Sequence, residues 1–310
     1  MKKVIICIIM LAGLLSCTAL NAQSKHEFSI FAGGGLSGLR YATEYSGGKN
    51  EYGGQIGLGY RYFFSSNLGF VTGAEVSLYR SRFSLNSDNF ATSTMAVDHD
   101  YDDFEFRSSI SEYEETQNAL FLQIPLMIQF QKGKNHQFYI AAGGKIGIPV
   151  GGNYRSAVGS IENSGYYSEE DYEYTTQKFM GFGTFKDNSF TGDLKFKTAF
   201  FASVETGAKW KLKDGLSLYS GVYVDYGLNN ICEEISSAKQ FVSYNRSSPR
   251  DFSINSVLNS QYAQNSFSQT FTDKIIPVSV GIKLSLTFGS NTQAQPDKSE
   301  SKAPAENRRQ

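Results

Sequence analysis

Residues 98–103 read Asp98-His99-Asp100-Tyr101-Asp102-Asp103, the densest set of chemically capable side chains in the sequence. An aspartate beside His99 can make the imidazole a general base toward water. Asp98, Asp100 and Asp102, with Glu105 beyond them, alternate as hard oxygen ligands do around calcium. Both readings lack parts. General-base catalysis needs further groups converging on one substrate atom, and the run has neither the central glycine nor the terminal glutamate of an EF-hand loop. The other two histidines, His26 and His136, lie far away in sequence. We therefore expect no enzymatic activity, no catalytic residue and no cofactor, and keep Asp98, Asp100, Asp102 and Glu105 as candidate metal ligands.

A second set of charges has a different setting. Arg61, Glu75, Lys145, Glu205, Lys209, Asp225 and Lys283 each interrupt a run in which every other residue is apolar. In one such run Leu120, Leu122, Ile124, Leu126, Ile128 and Phe130 share a phase, and Phe121, Gln123, Pro125, Met127 and Gln129 take the other. A period of two over this length is a strand and excludes an amphipathic helix. Comparable stretches lie at 28–36, 54–63, 68–79, 138–148, 200–210, 216–226 and 278–288. They run to roughly 10 to 14 residues, enough for a tilted strand to cross a bilayer. Net charge near zero and a polar overall composition argue against nucleic-acid binding and against membrane helices.

The gaps between these stretches alternate long and short. Phe64 to Asn67, Lys132 to Asn135 and Lys213 to Gly215 have turn compositions, whereas 37–52, 81–118, 151–197 and 229–274 are long. That rhythm predicts an all-β, antiparallel, up-and-down transmembrane barrel of eight strands, with short periplasmic turns and long extracellular loops. Segments 179–184 and 191–198 offer an extra hairpin and a ten-strand alternative. In the phase facing lipid, Phe28, Tyr62, Phe70, Phe130, Phe138, Trp210 and Phe288 all adjoin a short turn or a barrel end. They read as one aromatic girdle at the periplasmic rim, with both ends of the barrel on that side. The seven charges then face the lumen, where an eight-stranded barrel has just enough room for its own side chains. Both signs are present, so a plugged, ion-paired interior is expected, with a narrow small-solute channel as the alternative.

The termini differ from the barrel. Residues 1–22 carry two lysines, an apolar run and a small-residue end, as a secretory signal peptide cleaved after Ala22 does. Lipidation at Cys17 is the other option there. Cys7 and Cys17 belong to that segment, so the mature chain keeps Cys232 alone and forms no internal disulfide. The barrel occupies 23–289, and 290–310 reads as a disordered periplasmic tail. The long gaps hold Tyr113, Glu114 and Glu115, and the cluster Tyr166, Tyr167, Glu169, Glu170, Asp171, Tyr172, Glu173 and Tyr174. Tyrosine mixed with carboxylates suits a recognition surface, although it also suits strands that continue as hairpins above a membrane.

The stretch Asn118-Ala119-Leu120-Phe121-Leu122-Gln123-Ile124-Pro125-Leu126-Met127-Ile128 resembles the PorT-like outer-membrane β-barrel families in its Leu-x-Ile-Pro-Leu motif. Tyr139-Ile140-Ala141-Ala142-Gly143-Gly144 and 278–286 are also similar to those families. The architecture looks like that of the small OmpA-type barrels. The resemblance implies an outer-membrane location, and we expect a monomer in contact with outer-membrane lipid. The expected role is structural, or adhesive through an extracellular protein or glycan ligand, with a secretion-apparatus component as a further alternative.

Overall fold

The computed structural model describes residues 25–43, 48–85, 90–134, 136–233, 239–264, 267–272 and 274–289. The signal-peptide and tail readings at 1–22 and 290–310 therefore lie outside the described residues. Among the described residues sixteen strands follow one another along the chain. They are β1 (His26–Arg40), β2 (Lys49–Phe63), β3 (Leu68–Ser84), β4 (Phe90–Val97), β5 (Asp103–Gly133), β6 (His136–Tyr167), β7 (Tyr172–Tyr174), β8 (Gly183–Asp193), β9 (Ala199–Lys213), β10 (Leu216–Gly227), β11 (Lys239–Gln240), β12 (Val242–Ser243), β13 (Ser253–Ile254), β14 (Ser260–Gln264), β15 (Phe267–Thr270) and β16 (Ile276–Phe288).

Eight of these strands close a ring in the order β1, β2, β3, β5, β6, β9, β10, β16. Every pairing around it is antiparallel, and β16 returns to β1 with Phe28 opposite Phe288 and Leu36 opposite Val280. The ring therefore has no free edge, the condition for a sheet to sit in hydrocarbon. The β2–β3, β5–β6 and β9–β10 connections are tight and share one end of the ring with the start of β1 and the end of β16. In the last of these turns Gly215 takes φ +75°, a conformation open to glycine at no steric cost.

Alternation decides which side chains face out. On β5, Ile124, Leu126, Ile128 and Phe130 are exposed while Phe121, Gln123, Met127 and Gln129 are buried. The same apolar exposure recurs in Ile30, Ile140, Val204, Val222 and Ile282, so a continuous belt rings the barrel. In water that belt would be a large unsatisfied apolar surface; in a bilayer it is solvated by lipid tails.

Two of the long gaps, 81–118 and 151–197, carry long strand extensions among the described residues. β5 and β6 run for 31 and 32 residues, on the order of 100 Å along the strand, far more than the ~30 Å of a bilayer core. Beyond the belt the hairpin continues and gathers β4, β7 and β8 onto its edges, with β14 and β15 added beyond β4. The expected loops at 81–118 and 151–197 are mostly strand in this region, which we call the head. The ten-strand alternative fails for the same reason. β8 pairs with β6 only at positions 153–163, above the belt, and never enters the ring.

An apolar core fills the head. Phe83, Phe90, Phe104, Phe106 and Tyr113 of the ring extensions and β4 meet Phe241, Ile254, Val257, Tyr262 and Phe271 from the 239–272 segment. Ring centroids of Phe241 and Phe271 lie 4.8 Å apart, and those of Tyr262 and Phe271 4.6 Å apart. Full burial of such a side chain is worth about 1.5–3 kcal/mol, so the segment is held as a structured filling.

Candidate functional site

The lumen is built by the inward phase of the ring strands. Lys145 projects from β6, and its Nζ lies 2.6 Å from Glu75 Oε1 on β3 and 2.9 Å from Asp225 Oδ2 on β10. β3 and β10 are four steps apart in the ring of eight and thus face each other, with β6 midway between them. One ammonium therefore ties opposite walls together. Nearer the turns, Lys209 donates to Glu27 Oε1 at 2.5 Å and Tyr219 to Glu27 Oε2 at 2.8 Å. Lys283 and Tyr139 donate to the two oxygens of Glu205, each at 2.8 Å. Gly221 makes room for Tyr139, since a Cβ there would stand 2.5 Å from its hydroxyl.

Arg61 completes this layer with neutral partners. Its Nε donates to Gln129 Oε1 at 3.1 Å, one terminal nitrogen donates to Ser29 Oγ at 3.1 Å, and its Cζ lies 4.3 Å from the centroid of the Tyr219 ring. Toward the head, Tyr79 stacks on Phe201 across the ring at 5.9 Å and meets Phe121 edge-on at 5.8 Å. Side chains from facing walls thus cross the lumen in a charged layer and then an aromatic one.

All seven charges named from sequence, Arg61, Glu75, Lys145, Glu205, Lys209, Asp225 and Lys283, are buried here. Sequence reasoning missed Glu27, which is fully buried. It shares the inward phase of Ser29 and Phe31, so starting the first strand one residue earlier finds it. With Glu27 the described residues of the lumen include four cations, Arg61, Lys145, Lys209 and Lys283, against four carboxylates, Glu27, Glu75, Glu205 and Asp225. That balance is what a low-dielectric interior requires.

A second carboxylate, Glu115, read from the sequence as part of a loop recognition surface, organises the head instead. Glu115 is fully buried and accepts hydrogen bonds from the Tyr113 hydroxyl, from Gln117 Nε2 at 2.8 Å, from Ser256 Oγ at 2.5 Å and from the Val257 amide at 3.1 Å. It therefore fastens the 255–258 stretch to β5. Burial raises its carboxyl above the ordinary range despite these donors, and burial beside it raises the Tyr113 hydroxyl strongly. Tyr113, Glu115, Gln117, Ala119 and Phe121 continue the inward phase of β5, so the alternation in the sequence carries this placement. Glu114, on the opposite phase, is exposed.

The acidic run is organised around Asp98. Asp98 Oδ1 accepts the amides of Asp100 and Asp102 at 2.9 and 3.0 Å, and Oδ2 accepts the Tyr167 hydroxyl at 3.0 Å. This carboxylate closes the β4–β5 turn and is not left to orient His99. Partial burial pushes the Glu105 carboxyl up, but Arg107 at 2.6 Å outweighs it and holds the group below its usual range. Among the described residues no group of three or more His, Cys, Asp or Glu side chains is gathered to hold a metal. Of the candidates, the Asp98 carboxylate thus serves the turn and Glu105 pairs with Arg107, while Asp100 and Asp102 lend their amides to Asp98. Cys232, in the long 229–274 gap, is buried in the head core.

The tyrosine-rich acidic cluster folds as the β6–β7 hairpin. Tyr166 donates to Asp171 at 2.8 Å and Tyr174 to Glu170 at 2.9 Å, while Tyr167 stacks on Phe104 at 5.1 Å. Beside it a cleft of about 710 Å³ opens across β4, β5, β6 and β8, lined by Ser93, Glu105, Arg107, Ser109, Glu162, Ser164 and Thr184 among others. Arg107 sits over the Tyr166 ring at 4.4 Å and 3.5 Å from Glu173. Hydroxyls, carboxylates and one guanidinium at that spacing suit hydrogen bonding to a polar ligand.

Of the aromatics at the turn end, Phe28, Tyr62, Phe130, Phe138, Trp210 and Phe288 are exposed and Phe70 is half-buried. The Trp210 indole donates to Ser220 Oγ at 2.9 Å, and its ring packs 4.9 Å from that of His136.

The family model described as outer membrane protein beta-barrel domain matches residues 21–233. No curated protein matches the chain by sequence. Among solved structures the chain is similar to Neisserial surface protein A, with 8% identity, a TM-score of 0.33, and coverage of 86% of this chain and 98% of that one. It is similar to Ail, the attachment invasion locus protein of Yersinia pestis, in complex with the heparin analogue sucrose octasulfate, with 11% identity, a TM-score of 0.30, and coverage of 86% and 100%. A major outer membrane protein from Thermus thermophilus shares 14% identity at a TM-score of 0.37, with coverage of 85% and 99%.

Proposed function

Starting from the fact that this chain belongs to the outer membrane protein beta-barrel domain family, we propose that it is a non-enzymatic surface-recognition barrel with a closed lumen. Its head stands outside the cell and its strand ends lie in the periplasm. The observation that carries this reading is the division of labour along the axis. Lys145 ties facing walls at mid-barrel, the Tyr79–Phe121–Phe201 layer caps that network, and a head with its own core continues above. A conduit has no use for such a filling, whereas a rigid platform does.

The tight turns and both strand ends sharing one side support this orientation, as in outer-membrane barrels with short periplasmic turns. The exposed aromatics at that side act as the periplasmic girdle. The polar cleft around Arg107 is the contact surface, and a protein or glycan is its ligand. Within the family, Leu122-Gln123-Ile124-Pro125-Leu126 supports a PorT-like branch.

Two measurements test this function. Purified protein in planar bilayers should give no stable unitary openings; regular openings would make it a channel. Protease added to intact cells should nick the head; digestion only after the outer membrane is permeabilised would reverse the orientation.

A further inference from the structure

Just above the apolar belt the outward face changes character along one line on three neighbouring strands. On β3 the outward residues Val76 and Leu78 give way to Arg80 and Arg82. On β5 Leu122 and Leu120 give way to Asn118 and Thr116, and on β6 Ile148 and Val150 give way to Asn153 and Arg155. The register aligns these changes. Arg80 lies opposite Asn118 and Arg82 opposite Thr116, while Asn118 lies opposite Asn153 and Thr116 opposite Arg155. The result is a six-residue patch with three arginines, set one row beyond the last belt residues.

Neutral groups and one carboxylate order the patch. Arg80 Nε donates to Asn118 Oδ1 at 2.9 Å, and Asn118 Nδ2 donates to Asn153 Oδ1 at 2.9 Å. Arg82 meets Glu51 at 2.9 Å, and Glu114 and Asp193 stand on the border of the patch. Among the described residues neither Arg80 nor Arg155 has a carboxylate within ion-pair distance. On β5 the belt from Phe130 to Leu120 is as long as a tilted strand's path through hydrocarbon, roughly 9 to 11 residues. The next rows outward therefore sit at headgroup depth.

We propose that Arg80, Arg82 and Arg155, with the Asn118–Asn153 pair between them, form a binding site for the phosphate headgroup of a membrane lipid. The guanidinium fork matches phosphate oxygens in a bidentate manner, which a hydrated ammonium does not. Arg82 and Arg155 flank Thr116 two strand spacings apart, about 10 Å, and side chains of that length can close on a phosphate between them. The site rests on membrane residence and strand register, and not on which side of the membrane the head occupies or on what the cleft binds.

The test uses the full chain folded in a neutral detergent, with phosphatidic acid as the phosphate lipid and diacylglycerol as its headgroup-free counterpart, read by native mass spectrometry. Phosphatidic acid should be retained on the wild type and diacylglycerol should not; equal retention overturns the proposal without any variant. The Arg80→Gln/Arg155→Gln variant, checked for folding by heat-modifiable migration, should bind phosphatidic acid about 25-fold more weakly, about fivefold for each basic residue at a lipid surface. A Lys211→Gln/Lys213→Gln variant at the turn end should bind as the wild type does. An equal loss in that control, or no loss in the arginine variant, refutes a specific patch. Inorganic phosphate in hundredfold excess over lipid should leave the complex intact, and displacement by it would mean an anion site with no preference for lipid.

Discussion

Replacing Lys145 by methionine isolates the electrostatic bridge across the lumen. Methionine keeps an unbranched stem, so the packing against neighbours on β5 and β9 is nearly preserved and only the ammonium is lost. Glu75 and Asp225 then face each other from opposite walls with no cation between them, where they are now held at 2.6 and 2.9 Å from Nζ and almost fully buried. Removing one partner of a buried ion group costs about 3–5 kcal/mol, because the penalty is that of the stranded charge. The variant should lose about that much in urea unfolding from lipid vesicles. Lys145→Met with Glu75→Gln and Asp225→Asn removes all three charges and should recover most of the loss, since a neutral group of similar volume is often no worse than the ion set it replaces. A loss below about 1 kcal/mol for the single variant, or a triple variant no more stable than it, would refute the bridge as the element that joins β3 and β10.

Glu115→Ala removes four acceptor positions and leaves the Ser256 hydroxyl, the Val257 amide and the Gln117 amide buried without them. At about 1–3 kcal/mol for each stranded group, the three should loosen the head by about 3 kcal/mol or more while the ring still migrates as a folded barrel. Protease should then cut within 239–272, and maleimide should reach Cys232, which resists labelling in the wild type. Ile124→Arg places a charge in the belt and should weaken assembly by about 2–4 kcal/mol, seen as reduced heat-modifiable barrel; normal assembly would count against the assigned strand phase. Glu105 tests the pH dependence of the cleft. Against the upward push of partial burial, Arg107 lowers its carboxyl in the folded state, so its contribution is present above the unfolded value and is lost as pH falls through the folded one. Both side chains are partly solvated, which limits the effect to under about 1 kcal/mol. Thermal midpoints of wild type and Arg107→Gln should differ slightly at neutral pH and converge in acid.

How much of this was legible in the sequence depends on what solvates the outward phase. Where lipid does, as from Leu120 to Phe130, each outward residue must be apolar and each inward one is free to be polar, so the period of two stands out and the ring can be read. The same β5 strand continues through Phe104, Phe106, Ile110 and Tyr113, but there the apolar residues face in and Arg107, Ser109 and Glu112 face water. The sense of the pattern inverts in mid-strand. Glu112 at φ +55° and the register shift between Leu120 and Phe121 disturb its phase as well. A reader following the lipid-facing rule therefore stops at the membrane edge and takes the rest for loop, as at 81–118 and 151–197.

The same inversion explains the fate of the chemically capable residues. Charges in the ring stand out because each breaks an apolar alternation, and their partners follow from counting signs; only Glu27, at the very start of the pattern, escapes. In the head a carboxylate breaks nothing visible, so Asp98 and Glu115 look like two among many acidic loop residues. Asp98 is legible as a turn former from its own spacing, since a short polar side chain followed by amides at two and four residues can cap itself. Glu115 is not, because two of its donors, Ser256 and Val257, become neighbours only once the 239–272 segment enters the core. The outer arginine patch needs the register of three strands at once, and no single stretch of sequence contains it. The barrel is thus encoded at two ranges: the membrane-spanning part in local alternation, and the head and outer patch in pairings between strands far apart in the chain.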